Sequence, residues 1–326
     1  MKKILLLFIL LSSCSKGLYV SKDVIRPPFL GVGDTIGIVS VSSRVFLGAF
    51  DSMRFEMIRS WGVTIKFGNH LYDSTGGWFA GCDTARSADL QRMIDDKSVK
   101  AIIFNNGGYG SVRTLDHVNF RALRATPKWL AGYSDLTMLH YATQKVGVES
   151  IHGTMPISMV NDSVVDSISS LSLKDALFGT TNTYKTTPHP FNKAGVATGR
   201  LTGGNLSLIY AANGTDVDND LKQPSVLLIE DVSENIYSID RMLQNLKRTG
   251  KLNRAKAILV GHFTGTKDES RYGKCVYELI NEYTCDLGVP VIFNFPSGHQ
   301  SPNCALYMGR KVRVEVNNGG GILEFL

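Results

Sequence analysis

Short apolar runs alternate with helix-spaced apolar positions along most of this chain. "TIGIVSV" from Thr35 is followed by an amphipathic stretch over Phe50 to Trp61, "VTIKF" by a loop and the helical "ARSADLQRMIDD", and "VKAIIFNN" by a glycine turn. "PKWLAGY" then leads into a stretch where Leu136, Leu139, His140 and Thr143 recur at helical spacing. Short continuous apolar runs read as buried strands, and a three-four spacing reads as a helix with one buried face. Their alternation predicts an α/β fold: a parallel sheet with helices on both faces and binding sites at the carboxyl ends of the strands.

That rhythm breaks from Asn161 to Lys193, where Ser, Thr, Asn and Pro crowd out the apolar period, so 161–195 is expected as a linker or wrapping segment. Beyond it come "AGVATGRLTGGNLSLIYAA", the strand "SVLLIEDV", a helix through Tyr237 to Arg248, the strand "AKAILVG", a helix near Tyr277 to Tyr283, and "VPVIFNF". The tail "CALYMGRKVRVEVNNGGGILEFL" reads as a short antiparallel close. The expected organisation is an N-terminal domain over 22–160 and a smaller α/β C-terminal domain over 196–326, with no internal repeat.

The first residues change the picture of where the protein works. "MKKILLLFILLSSCSKG" has a basic start, an apolar run from Ile4 to Leu11 and small residues before Cys14, the pattern of an export signal too short to span a membrane. "LSSC" resembles a bacterial lipobox, so 1–14 is expected to be a lipoprotein signal with Cys14 as the lipidated residue. The expected location is the periplasmic face of a bacterial membrane, held only by the lipid anchor. The other four of the five cysteines, Cys82, Cys275, Cys285 and Cys304, fit neither a disulfide framework nor a Cys-x-x-Cys site and are expected as buried or half-buried thiols. No ligand spacing suggests a metal, and no cofactor is expected. The net charge of +6 is scattered without a basic stripe, which excludes a nucleic-acid partner.

Candidate chemistry sits at strand ends. Ser134 lies where a strand turns into a helix, a place for an N-cap or for a nucleophile on a sharp turn. Only Gly132 matches the G-x-S-x-G elbow, since Leu136 holds the second glycine position. "NNGGYGSVR", Asn105 to Arg113, follows a strand and exposes backbone N–H groups able to cradle an oxyanion, or is a tight turn and no more. Glu230 and Asp231 end an apolar strand; Asp231 and Glu234 read equally well as helix caps, whereas Glu230 still belongs to the strand. His299 falls in a polar loop after Val289 to Phe293. Among seven histidines its rivals are His152 and His262, each just after an apolar strand.

In order along the chain, "GDTIGIVSVSS", "FAGCDTARSADLQRMIDDKSVKAIIFNNGGYGSVRTLDHVNF", "PKWLAGYSDLTMLHYA", "HGTMP", "LTGGNLSLI", "LLIEDVSENIYSIDRML" and "FPSGHQSPNCALYMG" resemble the LD-carboxypeptidases of the S66 serine peptidase group. That group includes muramoyltetrapeptide carboxypeptidases and microcin C self-immunity peptidases. The resemblance implies a flavodoxin-like, class I glutamine amidotransferase-like N-terminal domain and a smaller C-terminal domain. It also implies a catalytic Ser134, Glu230 and His299, and an oxyanion hole from the backbone of Gly108 and Asp135. Substrate would meet Asn106 and Tyr109. The chain departs from the family at Asn106, where members commonly carry Arg, and at Gln300, where they read Gly.

The implied reaction is hydrolysis of the amide before the terminal D-alanine of a murein tetrapeptide, by a homodimer. Two other readings stay open: a microcin-immunity type peptidase acting on peptidyl or aminoacyl nucleotides, and a murein-fragment-binding lipoprotein with weak or no turnover.

Overall fold

The computed structural model describes residues 24–161 and 164–326; Cys14 and the signal-like segment lie outside them. In chain order the first strands are β1 (Thr35–Val39), β2 (Thr64–Phe67), β3 (Val99–Phe104), β4 (Trp129–Gly132) and β5 (Ser150–His152). All pair in parallel, in the order β2-β1-β3-β4-β5, which is the flavodoxin-like strand order. Two short strands, β6 (Val160–Asn161) and β7 (Val164–Val165), form a small antiparallel pair.

The remaining strands are β8 (Thr183–Thr186), β9 (Gly195–Asn205), β10 (Ser225–Val232), β11 (Ala255–Thr264), β12 (Val291–Ile292), β13 (Leu306–Met308), β14 (Lys311–Asn317) and β15 (Gly320–Phe325). Seven of these make the second sheet, in the order β12-β11-β10-β9-β14-β15-β8. Its first four strands are parallel and its last three antiparallel, with the expected closing hairpin in β14 and β15. The protein is thus a two-sheet α/β fold, as the sequence rhythm predicts.

Two features depart from the expected domain plan. The stretch 161–195 carries elements of its own: a helix over Ser167–Phe178, capped by the Asp166 carboxylate at Ser169 N, and β8 on the edge of the second sheet. The helix buries Leu173, Ala176 and Leu177, an i, i+3, i+4 stripe hidden in the sequence among serines, of which Ser169 and Ser170 are themselves buried. The second departure is β13. It leaves the C-terminal half and pairs antiparallel with β5, completing a six-stranded first sheet.

The core joins the halves. Leu136 and Leu139, on the chain after Ser134, share one buried cluster with Leu206, Ile209, Leu227 and Ile229 of the second half. Each such side chain contributes about 1.5 to 3 kcal/mol of burial, so the two sheets form one packed unit. A hydrogen bond from Asn205 N to Thr137 Oγ1 (3.0 Å) locks the second half's Leu206–Ala212 helix against the helix that follows Ser134.

Candidate active site

β4 ends at Gly132, Tyr133 remains extended, and Ser134 swings to φ +63° before the chain enters a 3₁₀ turn and the helix Thr137–Lys145. A non-glycine residue in this region costs about 1 to 3 kcal/mol and persists only where neighbours fix it. Thr137 does so by donating its Oγ1 hydroxyl to Ser134 O (2.8 Å). The Ser134 side chain caps no helix. Its Oγ is instead 2.9 Å from His299 Nε2.

The glycine turn after β3 faces this hydroxyl. A Cβ on Gly107 would stand 3.6 Å from Ser134 Oγ, and one on Gly108, at φ +104°, would collide with Ser43 Oγ at 2.4 Å. Gly108 is therefore needed both for its dihedral and for its close approach. Asn106 is buried, and its amide donates to Ser43 O (2.7 Å) and Gly107 O (2.9 Å). It braces the turn with its donors already spent, whereas Tyr109 is 49% exposed at the rim. The Asp135 carboxylate is buried and accepts from Ser42 Oγ (2.5 Å) and Ser111 N (2.7 Å), fastening the residue after Ser134 to the ends of two neighbouring segments. Sequence reasoning missed Ser42, Ser43 and Ser111; the polar "SVSS" directly after β1, at a strand's carboxyl end, was the signal available for the first two.

Glu230 lies near the carboxyl end of β10, inside the second sheet, and is fully buried. Glycines make room for it: a Cβ on Gly261 or on Gly298 would lie 3.1 Å from its Cβ. Its Oε2 lies 2.7 Å from His299 Nδ1, which completes a chain of contacts from Ser134 through His299 to Glu230. Burial alone would raise the Glu230 carboxyl, but His299 and His152 beside it outweigh that and hold it below the usual range. Burial likewise opposes charge on His299, and the Glu230 carboxylate overcomes it, so the imidazole is raised. Asp231, next in the strand, is pushed up to about 7 by burial and by Glu230's charge. It accepts from Asn205 Nδ2 (3.0 Å) and Ser207 N (2.9 Å), a cap on the second-half helix.

The structure separates the rival histidines by position. His140 is buried between Ser150 Oγ and Gly132 O, and burial drops it to about 3. His262 reaches the Gln300 carbonyl through Nδ1 (3.1 Å) and its N–H binds Ser297 O (2.8 Å), so it fixes the loop that carries His299. His152 ends β5 with Nε2 4.0 Å from Glu230 Oε1. A cleft of about 750 Å³ opens beside His299, between Thr154 and Ser158 on one side and Asp166 to Ile168 with β7 on the other.

The cysteines need one correction. Cys304 is buried, but Cys82 and Cys275 are exposed, each at the N-cap of a helix. Among the described residues no cluster of His, Cys, Asp and Glu could hold a metal ion, and no helix is long and apolar enough to cross a membrane.

Residues 36–153 match the LD-carboxypeptidase N-terminal domain and residues 198–314 the LD-carboxypeptidase C-terminal domain. The chain is 33% identical over 303 residues to a probable murein peptide carboxypeptidase of Bacillus subtilis, covering 92% of this chain and 94% of that protein. The crystal structure of muramoyltetrapeptide carboxypeptidase from Oxalobacter formigenes superposes with a TM-score of 0.80 at 25% identity, over 89% of this chain and 98% of that one. MccF in complex with glutamyl sulfamoyl guanosine shares the fold, with a TM-score of 0.81 at 22% identity over 92% of this chain and 98% of that one. Both domain matches, in order and with the two-sheet architecture, establish that this chain belongs to the LD-carboxypeptidase family and is a serine carboxypeptidase.

Proposed function

We propose that the enzyme removes the terminal D-alanine of murein tetrapeptide by a Ser134–His299–Glu230 triad. The observation that carries this reading is the continuous contact chain from Ser134 Oγ through the His299 ring to a fully buried Glu230. A serine hydroxyl is a weak nucleophile until a base takes its proton. His299 Nε2 accepts that proton as Oγ attacks the carbonyl carbon of the scissile amide, and Glu230 stabilises the imidazolium that forms. The backbone N–H groups of Gly108 and Asp135 receive the oxyanion, each worth about 2.7 to 4 kcal/mol in the transition state. Collapse breaks the C–N bond, and His299 returns the proton to the leaving D-alanine nitrogen. Water then attacks the ester on Ser134, giving a proton to His299; the acyl–Oγ bond breaks as His299 returns that proton to Ser134 Oγ, and tripeptide leaves with a new carboxylate.

The murein substrate is supported by the names of the relatives above. Tyr109, exposed at the rim of the glycine turn, is the side chain we assign to substrate contact; Asn106 acts on substrate only through the turn it braces. "LSSC" supports lipidation at Cys14 and display on the periplasmic side of a membrane. Exposed Val164, Val165, Ile168 and Leu171 near the cleft support a homodimer. The deciding experiment incubates soluble protein with defined muropeptides and reads products by mass spectrometry. Free D-alanine and tripeptide are expected; intact tetrapeptide alongside cleavage of an aminoacyl nucleotide would replace this substrate with the other.

A further inference from the structure

Among the buried side-chain polar atoms at the site that have no hydrogen-bond partner, which include Asn106 Oδ1 and Asp135 Oδ1, two form a pair: Glu230 Oε1 and His152 Nε2. They face each other at 4.0 Å, and both side chains are fully buried. Native proteins leave few such groups without a reason. The other edge of the His152 ring is engaged, with Nδ1 3.3 Å from Ser297 Oγ, in the loop that also carries His299. A hydroxyl donating to Nδ1 selects the tautomer with its proton on Nε2, the edge turned to Glu230. His152 ends β5, adjacent to β4, the strand that leads into Ser134, so this contact ties the first sheet to the second-sheet carboxylate.

We propose that His152 is a positioning residue for the triad, presenting an Nε2–H dipole to Glu230 Oε1 so that Oε2 stays aimed at His299 and the carboxylate charge is shared between two imidazoles. The inference rests on the triad reading. At 4.0 Å the contact is a through-space one, longer than a hydrogen bond. Its chemical effect is to set how strongly Glu230 draws a proton onto His299. Without the dipole, the carboxylate acts on His299 alone and the imidazolium is favoured further.

The other charged or titratable groups near the pair are few. His262 and Asp231 flank Glu230. Tyr133 and His140 pack on the His152 ring at centroid separations of 6.0 and 6.1 Å. Asp231, at about 7, titrates in the same window as a catalytic histidine. The readout must therefore be the His299 ring itself.

The test follows the His299 ring by NMR in histidine-labelled, substrate-free protein, assigned by its loss in His299→Gln, and in parallel the acid limb of kcat/KM on murein tetrapeptide. In His152→Phe, with an unchanged melting profile, the His299 midpoint and the acid limb should both rise by about 0.5 to 1 pH unit. His152→Gln, whose amide N–H can occupy the Nε2 position, should bring both back toward wild type. Ser297→Ala frees the tautomer and should move them the same way as Phe by less, which keeps the test alive if the Phe variant does not fold. A His299 midpoint identical in wild type, His152→Phe and Ser297→Ala overturns the inference. So does an equal loss of rate in the Phe and Gln variants with no movement of the limb, the signature of a packing role. Failure of the wild type to turn over murein peptide defeats the substrate reading and leaves the ring titration to decide this one.

Discussion

Glu230→Gln isolates the charge at the base of the proposed triad with almost no change in shape. The side chain is fully buried and packed against the positions of Gly261 and Gly298, so the amide must sit where the carboxylate sat. It then has two ways to lie. If its oxygen faces His299 Nδ1, the catalytic tautomer survives without the charge that stabilises imidazolium. If its NH₂ faces His299, Nδ1 must accept, the ring proton moves to Nε2, and that nitrogen can no longer take the proton of Ser134 Oγ at 2.9 Å. The second orientation is favoured because it leaves the amide oxygen toward His152 Nε2. A wrong tautomer in a Ser-His-carboxylate site costs about 10³- to 10⁴-fold in kcat, or roughly 4 to 5.5 kcal/mol of barrier. The pH profile carries an independent sign. Glu230 raises His299, and activity is lost as pH falls through the His299 pKa, so removing the charge should move the acid limb to lower pH. Steady-state kinetics from pH 4 to 9 on a defined tetrapeptide would measure both. A rate within tenfold of wild type with an unmoved limb would refute the coupling of Glu230 to His299.

Ser134→Ala, His299→Ala and the double variant should lose kcat by similar large factors, because members of one catalytic unit are not additive; additive losses in single-turnover assays would separate the two residues. Gly107→Ala should melt as wild type does but lose kcat/KM by at least tenfold, since its new methyl meets only ordinary contacts yet stands 3.6 Å from Ser134 Oγ; unchanged kinetics would show that substrate approaches from elsewhere. Arg310 donates two bonds to the buried Glu149 carboxylate (2.9 and 2.6 Å), so Arg310→Ala should lower stability by about 3 to 5 kcal/mol in a denaturant melt, and a loss under 1 kcal/mol would mean that the pair is not desolvated. Cys14→Ala should release the protein from membranes, and unchanged membrane fractionation would remove the anchor.

Much of this was legible from the residues. Short continuous apolar runs and the 3.6 period marked the parallel strands and their helices, and Glu230 stood out because an acid inside "LLIED" has no bland explanation as a cap. Ser134 and His299 were not separable by pattern alone: a strand-end serine is as good a cap, and His152 and His262 read as equivalent positions after apolar runs, although they lie within β5 and β11. Only the ordered family motifs singled them out. The helix Ser167–Phe178 was hidden because its inner face uses serines to bond the segment just before β13: Ser169 Oγ accepts from Asn303 N and Ser172 Oγ from Ala305 N. β13 was unreadable as a strand of the first sheet because sheet membership is set by long-range pairing, which a local period does not contain.

The loop bearing His299 begins at β12 in the second sheet and ends at β13 in the first. It is a strap sewn to both halves, and the proposed base it carries hangs between the two stitches. Cutting the chain within 161–195 would therefore not yield two independent modules. The first fragment would expose the bare edge of β5, a template for aggregation, and the second would carry a loose strand and a base with nothing to activate. During synthesis the same wiring leaves the proposed centre unassembled until β13 has been made and has paired with β5.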